Sequence, residues 1–371
     1  MFKYIAVLLF IVPYALMADF DYRVENTNIS ISQDLKNTSS QFYNYDRLRF
    51  RGDYTKDEFF STIIVDGVNY YANDYIKSAD FEYIKSVKSD TPFSTTSNYH
   101  DYNRGSTYAK VYRLYLGYQD EKNRALVGLI NVSMGVGRIW NPTNLFNPKN
   151  TYALEPDEVF GVAGVSYTRH INNTSSLSVV TSQKADKTLK YAGIYKSFLE
   201  FADIGISIIS SDETKMIGYE IEANLFDTGI ELRSEGAYIK NDTEFFQGIL
   251  GADYGFVNGV TIIGEVLYSS KKFSFEEQLL NSNSEISQNL VHSNLYTALS
   301  LSYSFNIFLD SSLLYIESYN DDNSRFISPS LTYTLNDYNS FVLSAMLQDG
   351  STESEFGRSE NSYFFKWSCS F

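Results

Sequence analysis

Arginine and glutamate are the residue types whose spacing here suggests work. Arg47, Arg49 and Arg51 occupy every second position, with Leu48 and Phe50 between them. An extended chain would put the guanidinium groups on one face and the apolar side chains on the other. Arg113 lies in another alternating run, Val111-Tyr112-Arg113-Leu114-Tyr115-Leu116. Carboxylates follow at the same spacing: Glu220 and Glu222, then Glu231 and Glu235 with Arg233 between them, and later Glu265. Charges arrayed in this way make no nucleophile. They set a field across a passage and orient polar solutes in it, as rings of charge do in pores. The same residues would also serve as ion pairs filling a narrow interior, and both readings stand.

Enzymatic chemistry needs a base beside a nucleophile or an activated water. The 3 histidines are His100, His170 and His292, and none lies in a local motif with Ser or Asp. The acidic tract Asn320-Asp321-Asp322-Asn323 lacks the glycine and distal glutamate of a calcium loop. No catalytic residue, metal ligand or cofactor is assigned. The net charge of -15 argues against binding a phosphate backbone, so no nucleic-acid partner is expected.

The elements that would hold these charges are strands. From Met216 to Phe226, Ile217, Tyr219, Ile221, Ala223 and Leu225 oppose Glu220, Glu222 and Asn224. Eighteen such runs fall at 20–35, 42–52, 57–70, 106–118, 123–132, 158–170, 174–184, 188–197, 200–211, 214–226, 229–240, 244–256, 259–270, 292–306, 309–320, 325–335, 338–348 and 361–371. No helical pattern of useful length lies among them. So many one-sided strands need either a second layer or closure into a barrel in lipid.

The connections decide for the barrel. Counted from the first strand, every even connection is short, among them Tyr54-Thr55-Lys56, Phe198-Leu199 and Asn336-Asp337. The longest, 71–105, 133–157, 271–291 and 349–360, are all odd. This is the parity of short periplasmic turns and longer external loops. The expected fold is an all-β, antiparallel transmembrane β-barrel of about 16–18 strands over 19–371, a single domain.

Both ends agree. Residues 1–18 read as a signal peptide: Met1-Phe2-Lys3, an apolar run to Leu16, then Ala18 before Asp19. At the other end, Tyr363, Phe365, Trp367 and Phe371 share one face of the last strand. An aromatic row to the last residue would be a sticky edge in water, but it suits lipid. This C-terminus resembles the closing strand of bacterial outer-membrane barrels, which the barrel assembly machinery reads. The lone cysteine, Cys369, excludes an internal disulfide and reads as a small lipid-facing residue.

The most distinctive stretch runs from Met134 to Pro148. Gly135 and Gly137 allow backbone shapes closed to other residues, and Asn141-Pro142 and Asn147-Pro148 are turn pairs. Trp140, Leu145 and Phe146 are too apolar for water, so the loop should fold into or over the barrel mouth. It resembles a loop of porin-like outer-membrane proteins, Gly-x-Gly-Arg-x-Trp-Asn-Pro-Thr-x-x-Phe-Asn-Pro, which here is Gly135, Gly137, Arg138, Trp140, Asn141, Pro142, Thr143, Phe146, Asn147 and Pro148. Leu154-Glu155-Pro156-Asp157-Glu158 also looks like that group, and the close match covers about residues 106–170. Members often carry Asp where Asn144 stands, so no charge role is carried over there.

The loop reads either as a constriction, with Arg138 and Trp140 at the narrow point, or as a rigid structural plug. The resemblance implies a porin-like channel for small solutes in the outer membrane of a Gram-negative-type cell, with membrane lipid and the assembly machinery as partners and a homotrimer as one assembly open to it. The alternative is a blocked barrel that binds a surface polymer, a lipid or an exporter through its external loops, above all 71–105 with Tyr70, Tyr71, Tyr75, Tyr83 and Tyr99. A third reading is an outer-membrane hydrolase.

Overall fold

The computed structural model describes residues 19–34, 40–72, 74–147, 155, 158–319, 323–358 and 360–371. The expected leader over 1–18, Pro148 and Asn320-Asp321-Asp322 lie outside the described residues.

The strands are β1 (Asp19–Gln33), β2 (Gln41–Lys56), β3 (Phe59–Tyr71), β4 (His100–Tyr102), β5 (Gly105–Gln119), β6 (Asn123–Ile130), β7 (Val162–His170), β8 (Ser175–Gln183), β9 (Leu189–Leu199) and β10 (Ala202–Ser210). They continue with β11 (Lys215–Asn224), β12 (Ile230–Lys240), β13 (Glu244–Gly255), β14 (Val260–Ser269), β15 (Leu295–Asn306), β16 (Leu309–Tyr319), β17 (Ser324–Asn336), β18 (Asn339–Asp349) and β19 (Ser362–Ser370). All form one antiparallel sheet; apart from the three-residue β4, eighteen of them close a barrel. Closure joins β1 to β19 from Glu25↔Ser370 to Gln33↔Ser362. Phe371 extends it, its amide donating to the Val24 carbonyl at 2.8 Å and its carbonyl accepting from the Val24 amide at 3.1 Å. Among the described residues every strand of the barrel wall is paired on both sides.

The two-residue period sorts the wall. Leu48, Phe50, Leu114, Leu116, Ile206, Ile208, Ile217, Leu250, Leu343, Tyr363, Phe365 and Trp367 are exposed on the outside, whereas Arg47, Arg49, Arg113, Arg233, Glu235 and Glu265 are buried within. Such an apolar exterior on a closed barrel satisfies the backbone internally and suits a bilayer. No helix among the described residues is long and apolar enough to cross a membrane. Cys369 is buried and shares the face of β19 that carries Tyr363, Phe365 and Trp367.

The structure departs from the sequence reading where the chain leaves the wall. β6 stops at Ile130 and β7 starts at Val162, so Glu158 belongs to an internal loop and not to a strand. β15 starts at Leu295, which puts His292 in a loop. Because β6 reaches only Leu114 of β5, the rest of that edge pairs with 95–102 instead. There Ser97 donates to the Ala109 carbonyl and Val111 to that of Thr95, each at 2.8 Å.

Two short helices also stand where no helical pattern of useful length was expected, α1 (Ala79–Ser86) and α2 (Phe275–Leu280). Each is set by its cap: Ser78 accepts from the Phe81 amide, and Ser274 with Glu277 forms a capping box.

Candidate functional site

Beyond β6 the chain turns into the barrel, and its apolar side chains hold it there. Ile130, Val132, Met134, Leu145 and Phe146 pack with Val162, Val180, Ile209, Met216, Ile239 and Phe245 of the wall. Ile139 and half-buried Trp140 join a second cluster with Ile249, Leu267 and Tyr296. An irregular loop still has backbone amides to satisfy, and three glutamates on three strands supply the acceptors. Glu235 on β12 accepts from the amides of Val136 (2.8 Å), Gly137 (3.1 Å) and Thr143 (2.8 Å), and from the Thr143 hydroxyl (2.7 Å). Glu265 on β14 accepts from those of Arg138 (3.0 Å), Ile139 (3.2 Å) and Trp140 (2.8 Å). Glu220 on β11 accepts from Gly135 at 3.1 Å and pairs with Lys196.

The glycines are there because nothing larger fits. A Cβ on Gly137 would stand 1.8 Å from the Trp140 carbonyl, and Gly135, at φ +86°, would put one 2.4 Å from the Glu235 carboxylate. Asn147 ties the two ends of the loop together, accepting from the Val132 amide at 2.5 Å and donating to the Phe160 carbonyl. Asn141 donates to the Gly137 carbonyl at 2.8 Å, and Pro142 accepts from Asn289 at 3.0 Å. Of the candidate loop residues, Trp140 and Phe146 pack against the wall and Asn147 ties the ends of the loop. Arg138 keeps an exposed side chain, paired with Glu231 at 2.6 Å and Asp253 at 3.3 Å. Arg233 lies buried beside it, between Asp253, Glu231 (3.4 Å) and Glu265 (3.8 Å). Glu222, opposite Arg233 in the ladder, is half-buried on the same inner face.

The basic residues occupy another sector. Arg49 grips Asp66 through Nε (2.7 Å) and Nη2 (2.8 Å), and Glu158 through Nη1 (2.9 Å) and Nη2 (2.7 Å). Arg47 pairs with Glu155 at 3.1 Å and Glu158 at 3.0 Å. A β-bulge opposite Ile64 and Val65 turns both Tyr112 and Arg113 inward. There Arg113 donates to the Tyr112 and Val159 carbonyls at 2.7 and 3.0 Å, and Lys110 stands over the Tyr112 and Phe160 rings. Arg51 is set apart from the others: it pairs with Asp53 at 2.5 Å and is exposed.

Two cavities lie in the barrel interior. One of about 550 Å³ reaches the short-turn rim and is lined by Arg47, Glu155, Glu158, Asn339 and Lys366. Another of about 360 Å³ lies under the long loops and is lined by Phe146, Glu155, Glu158, Lys190 and Glu285. The two share Glu155 and Glu158, which thus stand where the interior spaces meet, against Arg47 and Arg49. Neither glutamate, nor Asp66 or Lys110, was among the candidate residues. The sequence signal for the two glutamates was the charge in the 154–158 stretch, which was noted only for its resemblance.

The remaining candidates are peripheral. His170 ends β7 at the short-turn rim and His100 is exposed on β4. Tyr70, Tyr75 and Tyr99 pack inward around Phe81, leaving Tyr71 and Tyr83 exposed.

No protein-family model matches the chain, nor does any curated protein. Solved structures do. OccAB1 of Acinetobacter baumannii superposes with a TM-score of 0.63 at 9% identity, over 95% of this chain and 96% of that one. OccD3 (OpdP) of Pseudomonas aeruginosa gives 0.60 at 10%, over 95% and 91%. The outer membrane protein opdK of Pseudomonas aeruginosa gives 0.58 at 9%, over 95% and 99%. These likenesses show that the fold is shared over nearly the whole chain.

Proposed function

We propose that the protein is an outer-membrane channel through which small polar solutes diffuse, steered by a charged constriction. The observation that carries this reading is the meeting of the two interior cavities at Glu155 and Glu158, opposite Arg47 and Arg49. Basic groups on β2 and β5 face an interior whose other side, β11 to β14, carries Glu220, Glu222, Glu231, Glu235 and Glu265. A polar solute crossing between them would be turned by the field. The fold shared with an outer membrane protein, opdK, supports the location. So does the last strand, whose Tyr363, Phe365, Trp367 and Phe371 we assign as the signature read by the assembly machinery. We take residues 1–18 as the export signal removed on the way, and surrounding lipid, with a trimer as the assembly to test, as the setting. The proposed transport needs no nucleophile, cofactor or metal.

The test is single-channel recording of the refolded chain in a planar bilayer. Steady open steps are expected, and silence from protein shown to be folded would reject the channel. The density of ion pairs at the constriction favours one other reading, a barrel closed at rest that acts through its external loops. Deleting 79–90 separates the two, because a channel keeps conducting and a loop-based binder loses its partner.

A further inference from the structure

The outer loops meet at one histidine. His292 lies between α2 and β15, and its two ring nitrogens each face a backbone carbonyl: Nδ1 that of Phe273 at 3.1 Å, Nε2 that of Glu353 at 3.2 Å. A carbonyl only accepts, so both contacts are hydrogen bonds only when both nitrogens carry a proton. Neutral imidazole sets a lone pair against one of the oxygens. The two carbonyls belong to different loops, 270–294 and 350–361, so the ring spans them.

The surroundings suit a cation. The His292 amide donates to Glu355 at 3.2 Å, and Tyr296 donates to the same oxygen at 2.8 Å. Burial pushes the Glu355 carboxyl up, against the pull of Tyr296 and His292. Phe275 stacks on the imidazole with centroids 4.0 Å apart, and Arg358 covers the far face of that ring while reaching Glu353 at 3.4 Å. Lys271 stands over Phe273. The loop held in this way bears on the passage, since 282–285, Ser287 and Gln288 line the outer cavity and Asn289 bonds Pro142 of the internal loop at 3.0 Å.

We propose that His292 is a proton-dependent latch: its charged ring fastens the 350–361 loop to the 270–294 loop over the channel mouth, and its neutral ring releases them. Imidazoles change charge between about pH 5 and 8. Both bonds form on the charged ring, and one is lost on the neutral ring.

Hydrogen exchange of 270–294 in the folded barrel at pH 5.5 and 8, corrected for intrinsic rates, tests the latch. The wild-type loop should open about fivefold more often at pH 8, the effect of about one net hydrogen bond. His292→Gln should open at the higher level at both pH values, and Glu355→Gln should keep a pH-dependent transition. A wild-type loop indifferent to pH would overturn the proposal. So would a transition kept in His292→Gln and lost in Glu355→Gln, because Glu355 would then be the switch. More frequent partial closures of the single-channel current at pH 8 are expected as well. That arm alone rests on the channel reading: a silent barrel with the exchange transition intact would reject the channel and leave the latch standing.

Discussion

Glu158→Gln changes one charge where the cavities meet and little else. Around it stand Arg47, Arg49, Lys110, Arg113 and Lys366 against Asp66, Glu155 and Glu158, five positive and three negative groups, a local balance of 5 − 3 = +2. The substitution makes it +3, while Arg47 keeps Glu155 and Arg49 keeps Asp66. A unit charge about 7 Å from a passing ion is worth about 0.6 kcal/mol at the dielectric constant of water. Screening over about 10 Å at 0.1 M salt roughly halves that figure. An anion is then favoured and a cation disfavoured by about 1.7-fold each, an approximately threefold shift of the permeability ratio towards anions. At 1 M salt, with a Debye length of about 3 Å, the shift should nearly vanish. The assay is the reversal potential of open channels under a salt gradient. A shift towards cations, or an unchanged potential at 0.1 M, would refute the placing of Glu158 beside the ion path.

Further outcomes follow from the same geometry. Arg51→Ala should leave selectivity unchanged and cost at most about 0.5 kcal/mol, since Arg51 is exposed and its partner only half-buried. Arg49→Ala strands buried Asp66 and leaves Glu158 to Arg47 alone, and should lower barrel stability by about 3 kcal/mol in a urea titration. Glu235→Gln keeps one accepting oxygen and turns an amide towards the loop's N–H groups; losing about two of its bonds, worth roughly 2 kcal/mol, should raise the open-channel noise. Gly137→Ala cannot form the tight turn against Trp140, so its yield of folded barrel, read as heat-dependent gel mobility, should fall below that of an alanine at half-buried Gly193, where a Cβ meets nothing within 4 Å.

The barrel was legible because an apolar outer face and a polar, charged inner face enforce alternation along the strands. The eighteen runs match β1 to β3 and β5 to β19 in order and in connection parity. The same signal misplaced 158–161 and 292–294, where alternation persists after the chain has left the wall. α1 and α2 are too short to show a period, although Ser274-Phe275-Glu276-Glu277 carries the capping-box pattern. The acidic residues of β11 to β14 were read as field groups, yet Glu235 and Glu265 accept backbone amides from the internal loop. Backbone donors leave no mark in a side-chain pattern. Glu155 and Glu158 escaped notice for a related reason: their partners, Arg47 and Arg49, are more than 100 residues away, and a loop has no periodicity to say which wall it will meet.

The central claim is that ions pass beside Glu155 and Glu158, and a thiol placed there tests it most directly. In Glu158→Cys, a bulky cationic thiol reagent added to open channels should reduce the current stepwise and irreversibly, while the wild type, whose Cys369 is buried, stays unaffected. Full current through channels shown by mass to carry the reagent would contradict the account and move the ion path elsewhere in the barrel.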